Sequence, residues 1–150
     1  MSDKVKIEDL IKKQGFSVST TVGTSMYPML RNRRDTIVIR SYKGRLKKFD
    51  VPLYKSNGDY VLHRIIHVLP DAYIIRGDNC IRKEYVTDDM IVGVLSELYR
   101  DSKPVNMKGF RYKAYVKFWN CIFPFRYTYK KVRQICGRLK TKVLSSSGKD

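Results

Sequence analysis

The chain has 150 residues, 43% of them hydrophobic and 30% charged, and a formal net charge of +17. That length supports one domain with a real core. No uncharged run approaches the roughly 18–20 residues of a spanning helix, and MSDKVKIEDLIKKQG carries charge throughout, so it is not expected to act as a signal peptide. Cys80, Cys121 and Cys136 are odd in number and form no CxxC, so neither a disulfide framework nor a structural zinc site is expected. These features point to a cytoplasmic protein whose membrane contact is at most peripheral, at the inner face.

In chain order, Val5 to Gln14 reads as a short amphipathic helix, capped by Ser2 or Asp3 and stopped by Gly15. FSVSTTV (16–22) alternates and is β-branched, as a strand does. VGTSMYPML (22–30) is too apolar for an ordinary loop and too interrupted for a helix. TIVIRSY follows a polar turn as a second strand, and FDVPLYKS is a third. Asn57-Gly58-Asp59 signals a tight hairpin. YVLHRIIHVLP (60–70) reads as one long strand, AYIIRGD as its returning partner, and Asn79 to Asp89 as a polar loop. MIVGVLSELYR (90–100) is a further strand. Short turns between consecutive strands favour an antiparallel sheet. Beyond Pro104 the apolar spacing becomes helical, and Pro124 divides it into helices near 108–122 and 125–140, with Ser145 to Gly148 as a frayed end.

Charge is uneven. From Ser102 onward the only acid is Asp150, while Lys and Arg alternate with Phe, Tyr and Trp. Such a tail suits an anionic partner: a membrane surface, a nucleic acid or an acidic peptide. A solvated helical face is the plainer explanation.

Ser25 invites two readings. Its hydroxyl caps a turn, or it is a nucleophile on an irregular segment bent at Gly23. If the strands on either side of Pro70-Asp71 form a hairpin, His63 comes close to Asp78. Serine, histidine and aspartate are the types of a nucleophile, its base and an orienting carboxylate. His67 lies four residues along the same expected strand, on the face of His63, and reads as structural. Arg64 is expected to pair with a carboxylate.

Four boxes occur in order: Gly-Thr-Ser-Met-Tyr-Pro at 23–28, His-Arg-Ile at 63–65, Gly-Asp-Asn at 77–79 and Ile-Val-Gly-Val at 91–94. Together they resemble the catalytic domain of type I signal peptidases and the related self-cleaving repressor domains of the SOS response. The likeness covers about residues 20–98. His63 stands where bacterial signal peptidases usually place lysine, as in the archaeal and endoplasmic-reticulum branch. The resemblance implies a mainly β, antiparallel signal-peptidase-like domain over 1–100 with a short N-terminal helix. A basic aromatic helical tail over 101–150 would pack on it. It implies Ser25 as nucleophile, His63 as base and Asp78 as the aspartate of its box. The further acid of that branch falls on Glu84, or on Asp88 or Asp89. Backbone N–H groups at Thr24, Ser25 and Met26 would form the oxyanion site, with no metal and no cofactor.

The implied activity is a serine endopeptidase that removes a leader or signal-like segment from a peptide or secreted precursor. The competing reading is a non-catalytic module of the same fold, docking on anionic membrane or, less favoured, nucleic acid through its tail. Self-cleavage, as in the repressor relatives, is a third. An N-terminal anchor like that of signal peptidases is not expected from these residues, and the short first helix is expected to be too small for the DNA-binding domain of the repressors.

Overall fold

The computed structural model describes residues 7–146. The chain divides into two compact units after Lys113. Composition places that boundary near residue 100. The difference arises because a short strand at Lys103–Pro104 folds back to pair Arg100 and Tyr99, and Tyr112 donates to Met29 in the first unit.

The first unit opens with α1 (Ile7–Gln14), which buries Ile11 and sets Glu8 and Asp9 in its first turn and Lys12 and Lys13 in its last. That order of charge complements the helix dipole. The expected start at Val5 and the cap at Ser2 or Asp3 lie outside the described residues. One sheet contains β1 (Phe16–Thr20), β2 (Thr36–Arg40), β3 (Pro52–Ser56), β4 (Asp59–Leu62), β8 (Ile91–Arg100) and β9 (Lys103–Pro104). Its order is β1-β2-β8-β3-β4, with β9 on β8. A second sheet holds β5 (Arg64–Val68), β6 (Ala72–Arg76) and β7 (Glu84–Thr87) in sequence order. All pairings are antiparallel, so the protein is mainly β, with a short N-terminal helix and C-terminal helices.

The β3–β4 hairpin turns at Asn57 (φ 52°) and Gly58 (φ 87°). Two successive positive φ values make the type I′ turn that Asn-Gly favours. Two strand assignments differ from the sequence reading. The expected single strand over 60–70 is divided at His63, with β4 in one sheet and β5 in the other. The polar loop expected over 79–89 contains β7, whose Tyr85 and Val86 pair with Ile74 and Tyr73. Hydropathy alternation continues across a change of sheet, so it does not mark one.

Residues of both sheets share a core. Tyr54 of β3 packs with Leu46, with Ile65, Tyr73 and Ile75 of the second sheet, and with Val86 of β7. Truncating one buried isoleucine there to alanine costs about 2–5 kcal/mol. That core fixes the β4–β5 junction on which His63 sits.

The second unit is helical. α2 (Phe110–Cys121) begins in the first unit and continues into the second, followed by α3 (Phe123–Ser146). The break falls at Ile122, two residues before Pro124, because proline is accommodated in the first turn of the helix it starts. α3 runs through Ser145 and Ser146, and Ser147 and Gly148 lie outside the described residues. Among the described residues, no helix is long and apolar enough to cross a membrane.

Candidate active site

Ser25 lies on the loop between β1 and β2. Thr21 closes the base of this loop, its hydroxyl donating to the carbonyls of Arg31 (2.7 Å) and Asp35 (3.1 Å). The Gly23 N–H donates to Asn32 Oδ1 at 2.9 Å. Met26 and Met29 turn inward and are buried, whereas Val22, Gly23 and Thr24 are exposed and Ser25 is half-buried. The interrupted apolar pattern of VGTSMYPML thus has a physical meaning. Its two methionines anchor the loop and leave the serine near the surface.

The Gly77-Asp78-Asn79 turn clamps this loop. The Asn79 backbone N–H donates to the Ser25 carbonyl at 2.7 Å, and its side-chain amide donates to the Thr24 carbonyl at 3.1 Å. Gly77 is the point of closest approach. A β-carbon there would lie 2.6 Å from the Ser25 carbonyl oxygen, 2.8 Å from Cys80 Sγ and 2.9 Å from His63 Nε2. Only glycine fits without displacement, and its bare α-carbon lets the Ser25 carbonyl and His63 Nε2 both lie against it. The Ser25 hydroxyl makes no hydrogen bond among the described residues. The backbone N–H groups of Thr24, Ser25 and Met26 likewise donate to no acceptor among the described residues.

His63 is 6% exposed. Its Nδ1 lies 3.1 Å from Glu84 Oε1 and 3.1 Å from the Tyr54 hydroxyl, which itself donates to Glu84 Oε2 at 3.0 Å. The tautomer follows. An ionised carboxylate only accepts, and the single phenolic proton of Tyr54 is already committed to Glu84. The proton between His63 and Glu84 therefore sits on Nδ1, leaving the Nε2 lone pair to face Gly77. Burial pushes the His63 imidazole below its ordinary value, against the opposing pull of Glu84 and Asp78. Burial, with the Glu84 charge, pushes the Tyr54 phenol up. A neutral imidazole with a fixed tautomer and a free Nε2 has the attributes of a general base.

Asp78 makes its close contacts elsewhere. Arg64 grips it through Nε to Oδ1 and Nη2 to Oδ2, both at 2.8 Å, with the two side chains almost wholly buried. Arg64 also donates to the Phe49 carbonyl (3.1 Å), the Tyr112 hydroxyl (3.3 Å) and Met29 Sδ (2.7 Å). Its five N–H donors thus meet five acceptors. Burial disfavours its charge, but the hydrogen bonds and charge of Asp78 outweigh that and hold it protonated. Asp78 acts on His63 through space rather than by contact, while the Asp78 N–H donates to Met26 Sδ at 3.4 Å. The Arg64–Asp78 pair is a rivet joining the serine loop, the Gly-Asp-Asn turn and Tyr112.

Of the acids open as third partner, Glu84 contacts His63. Asp88 accepts from Tyr73 (2.7 Å) and Arg45 (3.1 Å), and Asp89 lies near Lys12 and Met90 in a separate hollow. The bulge between Ile65 and His67 breaks the alternation of β5, so His67 is exposed where His63 is buried. Tyr54 was not singled out in the sequence. The signal was its place in β3, whose hairpin pairs Leu53 with Leu62, one residue before His63. Among the described residues, no group of three or more His, Cys, Asp or Glu side chains is placed to hold a metal ion. A cavity of about 710 Å³ along β8 and residues 104–108 includes neither Ser25 nor His63. The chain was compared with protein-family models and with curated proteins, and it matches none of either.

Proposed function

We propose that the protein is a serine endopeptidase of the signal-peptidase type, with Ser25 as nucleophile, His63 as general base and Glu84 as the carboxylate that orients it. One observation carries this reading. His63 is buried, its Nδ1 lies 3.1 Å from Glu84 Oε1, and its Nε2 and the Ser25 carbonyl both lie close against Gly77. Catalysis would begin with rotation of the Ser25 side chain toward Nε2. Apo sites often show long contacts that tighten when substrate binds. His63 would take the hydroxyl proton as Oγ attacks the scissile carbonyl, and Glu84 would stabilise the imidazolium. The free N–H groups at 24–26 would receive the oxyanion. His63 would then hand the proton to the leaving amine, and water would release the acyl group by the same route.

The exposed residues 22–24 suit an extended substrate lying alongside them, its main chain pairing with the protein and its small side chains meeting a shallow surface. That fits a leader or signal-like segment of a peptide or precursor. The test is fluorophosphonate labelling, with hydrolysis of a pool of leader-like peptides, in wild type, Ser25→Ala and His63→Ala. The expected result is a single mass adduct and a defined cleavage in wild type, with both absent from the variants. Cleavage that persists in folded Ser25→Ala would overturn the assignment.

A further inference from the structure

We infer that the helical unit is an interfacial anchor that lays one face of α3 onto a bilayer rich in anionic lipid. This goes beyond the peptidase reading and does not depend on Ser25. On α3, Phe125, Tyr129, Val132 and Cys136 recur at intervals of four, three and four residues, which puts them on one face. All four are exposed, Phe125 at 79%, Tyr129 at 66% and Val132 at 53%. Ile135 borders the same stripe at 56% exposed. An apolar face this open on one helix marks a surface made to be covered.

Charge identifies the cover. Arg126, Lys130 and Arg133 run along one side of the stripe, Lys131 lies on the other, and no acid occurs between Ser102 and Lys149. A second copy of the helix would set cation against cation along both flanks, which opposes self-association. An anionic surface meets both flanks at once, and long basic side chains there reach the headgroups while the stripe enters the acyl boundary. Nucleic acid would satisfy the charges and stack on Phe125 and Tyr129. It offers nothing to Val132 and Ile135, whose burial needs hydrocarbon. Arg126 already lies 3.7 Å over the Trp119 ring, an amphipathic pairing of the kind found at bilayer interfaces.

The experiment is co-sedimentation of the full chain with vesicles of phosphatidylcholine alone or mixed with phosphatidylglycerol, at low and high salt. Binding is expected to the mixed vesicles and at least about tenfold weaker to phosphatidylcholine, falling as salt rises. Lys130→Ala with Lys131→Ala should weaken it about 25-fold, at about fivefold per cation. Phe125→Ser with Tyr129→Ser should leave only weak, fully salt-sensitive binding. Arg126→Ala with Arg133→Ala gives a second charge pair should the first variant lose helicity by circular dichroism. Ser25→Ala should bind as wild type does, which separates this inference from the catalytic one. Equal binding to both vesicle types, no binding, or tighter binding to a single-stranded oligonucleotide than to the anionic vesicles would overturn it.

Discussion

Arg64 and Arg133 carry the same side chain in opposite circumstances. Arg64 is buried in the β unit with every N–H satisfied and a carboxylate in its fork. Arg133 lies exposed on α3, in a stretch of sequence with no acid to meet it. The contrast holds for aromatic residues too. Tyr54 and Tyr73 are fully buried, with hydroxyls donating to Glu84 and Asp88, whereas Phe125 and Tyr129 face outward. One unit uses buried polar groups to fix a geometry. The other leaves Phe125, Tyr129, Val132 and Arg133 exposed on a helix.

The largest effect should come from breaking the fixed geometry at its most directed contact. Glu84→Gln keeps the shape of the side chain but removes the charge that selects the His63 tautomer. Turnover should fall by about 10⁴, the scale seen when a triad carboxylate becomes an amide, with little change in thermal stability. A loss of less than about tenfold would remove Glu84 from the mechanism.

The comparison of arginines can be tested directly by denaturant unfolding. Arg64→Leu strands Asp78 as a buried, unpaired charge and should cost about 3–5 kcal/mol. Adding Asp78→Leu should restore part of that. Arg133→Leu should change stability by no more than about 0.5 kcal/mol. Similar losses at the two positions would erase the distinction between the units.

At Gly77 the smallest possible addition meets the site. Gly77→Ala places a methyl group against the Ser25 carbonyl, the Cys80 thiol and His63 Nε2. It should destabilise the fold by about 1–3 kcal/mol and suppress labelling of Ser25 even where the protein remains folded. Unchanged labelling would show that Ser25 and His63 do not need to converge there.

Two smaller effects refine the picture. Because burial lowers the His63 pKa, activity should hold down to a pH below the ordinary histidine value near 6.5, then fall as the imidazole protonates. Stability follows the same sign. Below about pH 6.5 the unfolded chain takes up a proton that folded His63 refuses, so stability declines until His63's own lower pKa is passed and is level beneath it. A half-activity pH above 6.5 would contradict the burial. Tyr54→Phe removes one hydrogen bond to Glu84 and should cost about 1 kcal/mol in stability and about tenfold in turnover, read by unfolding and steady-state kinetics.

Much of this was legible from local signals. The order of the boxes, the Asn57-Gly58 turn, the antiparallel strands and the helical tail follow from short-range preferences of backbone and side chain, which a sequence carries residue by residue. The hairpin that brings the Gly77–Asn79 turn near His63 was readable for the same reason, since a tight turn dictates its own pairing. Nothing local told Asp78 from Glu84 as the acid in contact with His63. Both are carboxylates a short way past the same strand, and the choice depends on a strand that changes sheets at His63 and on a competing guanidinium already buried beside Asp78. Buried charges pair with whatever the fold sets within reach, and that reach is a property of three-dimensional packing. The sequence by itself determined which residue types could do the chemistry and where the charge lies; the tertiary structure decided which carboxylate faces the histidine, because only folding removes water from between them.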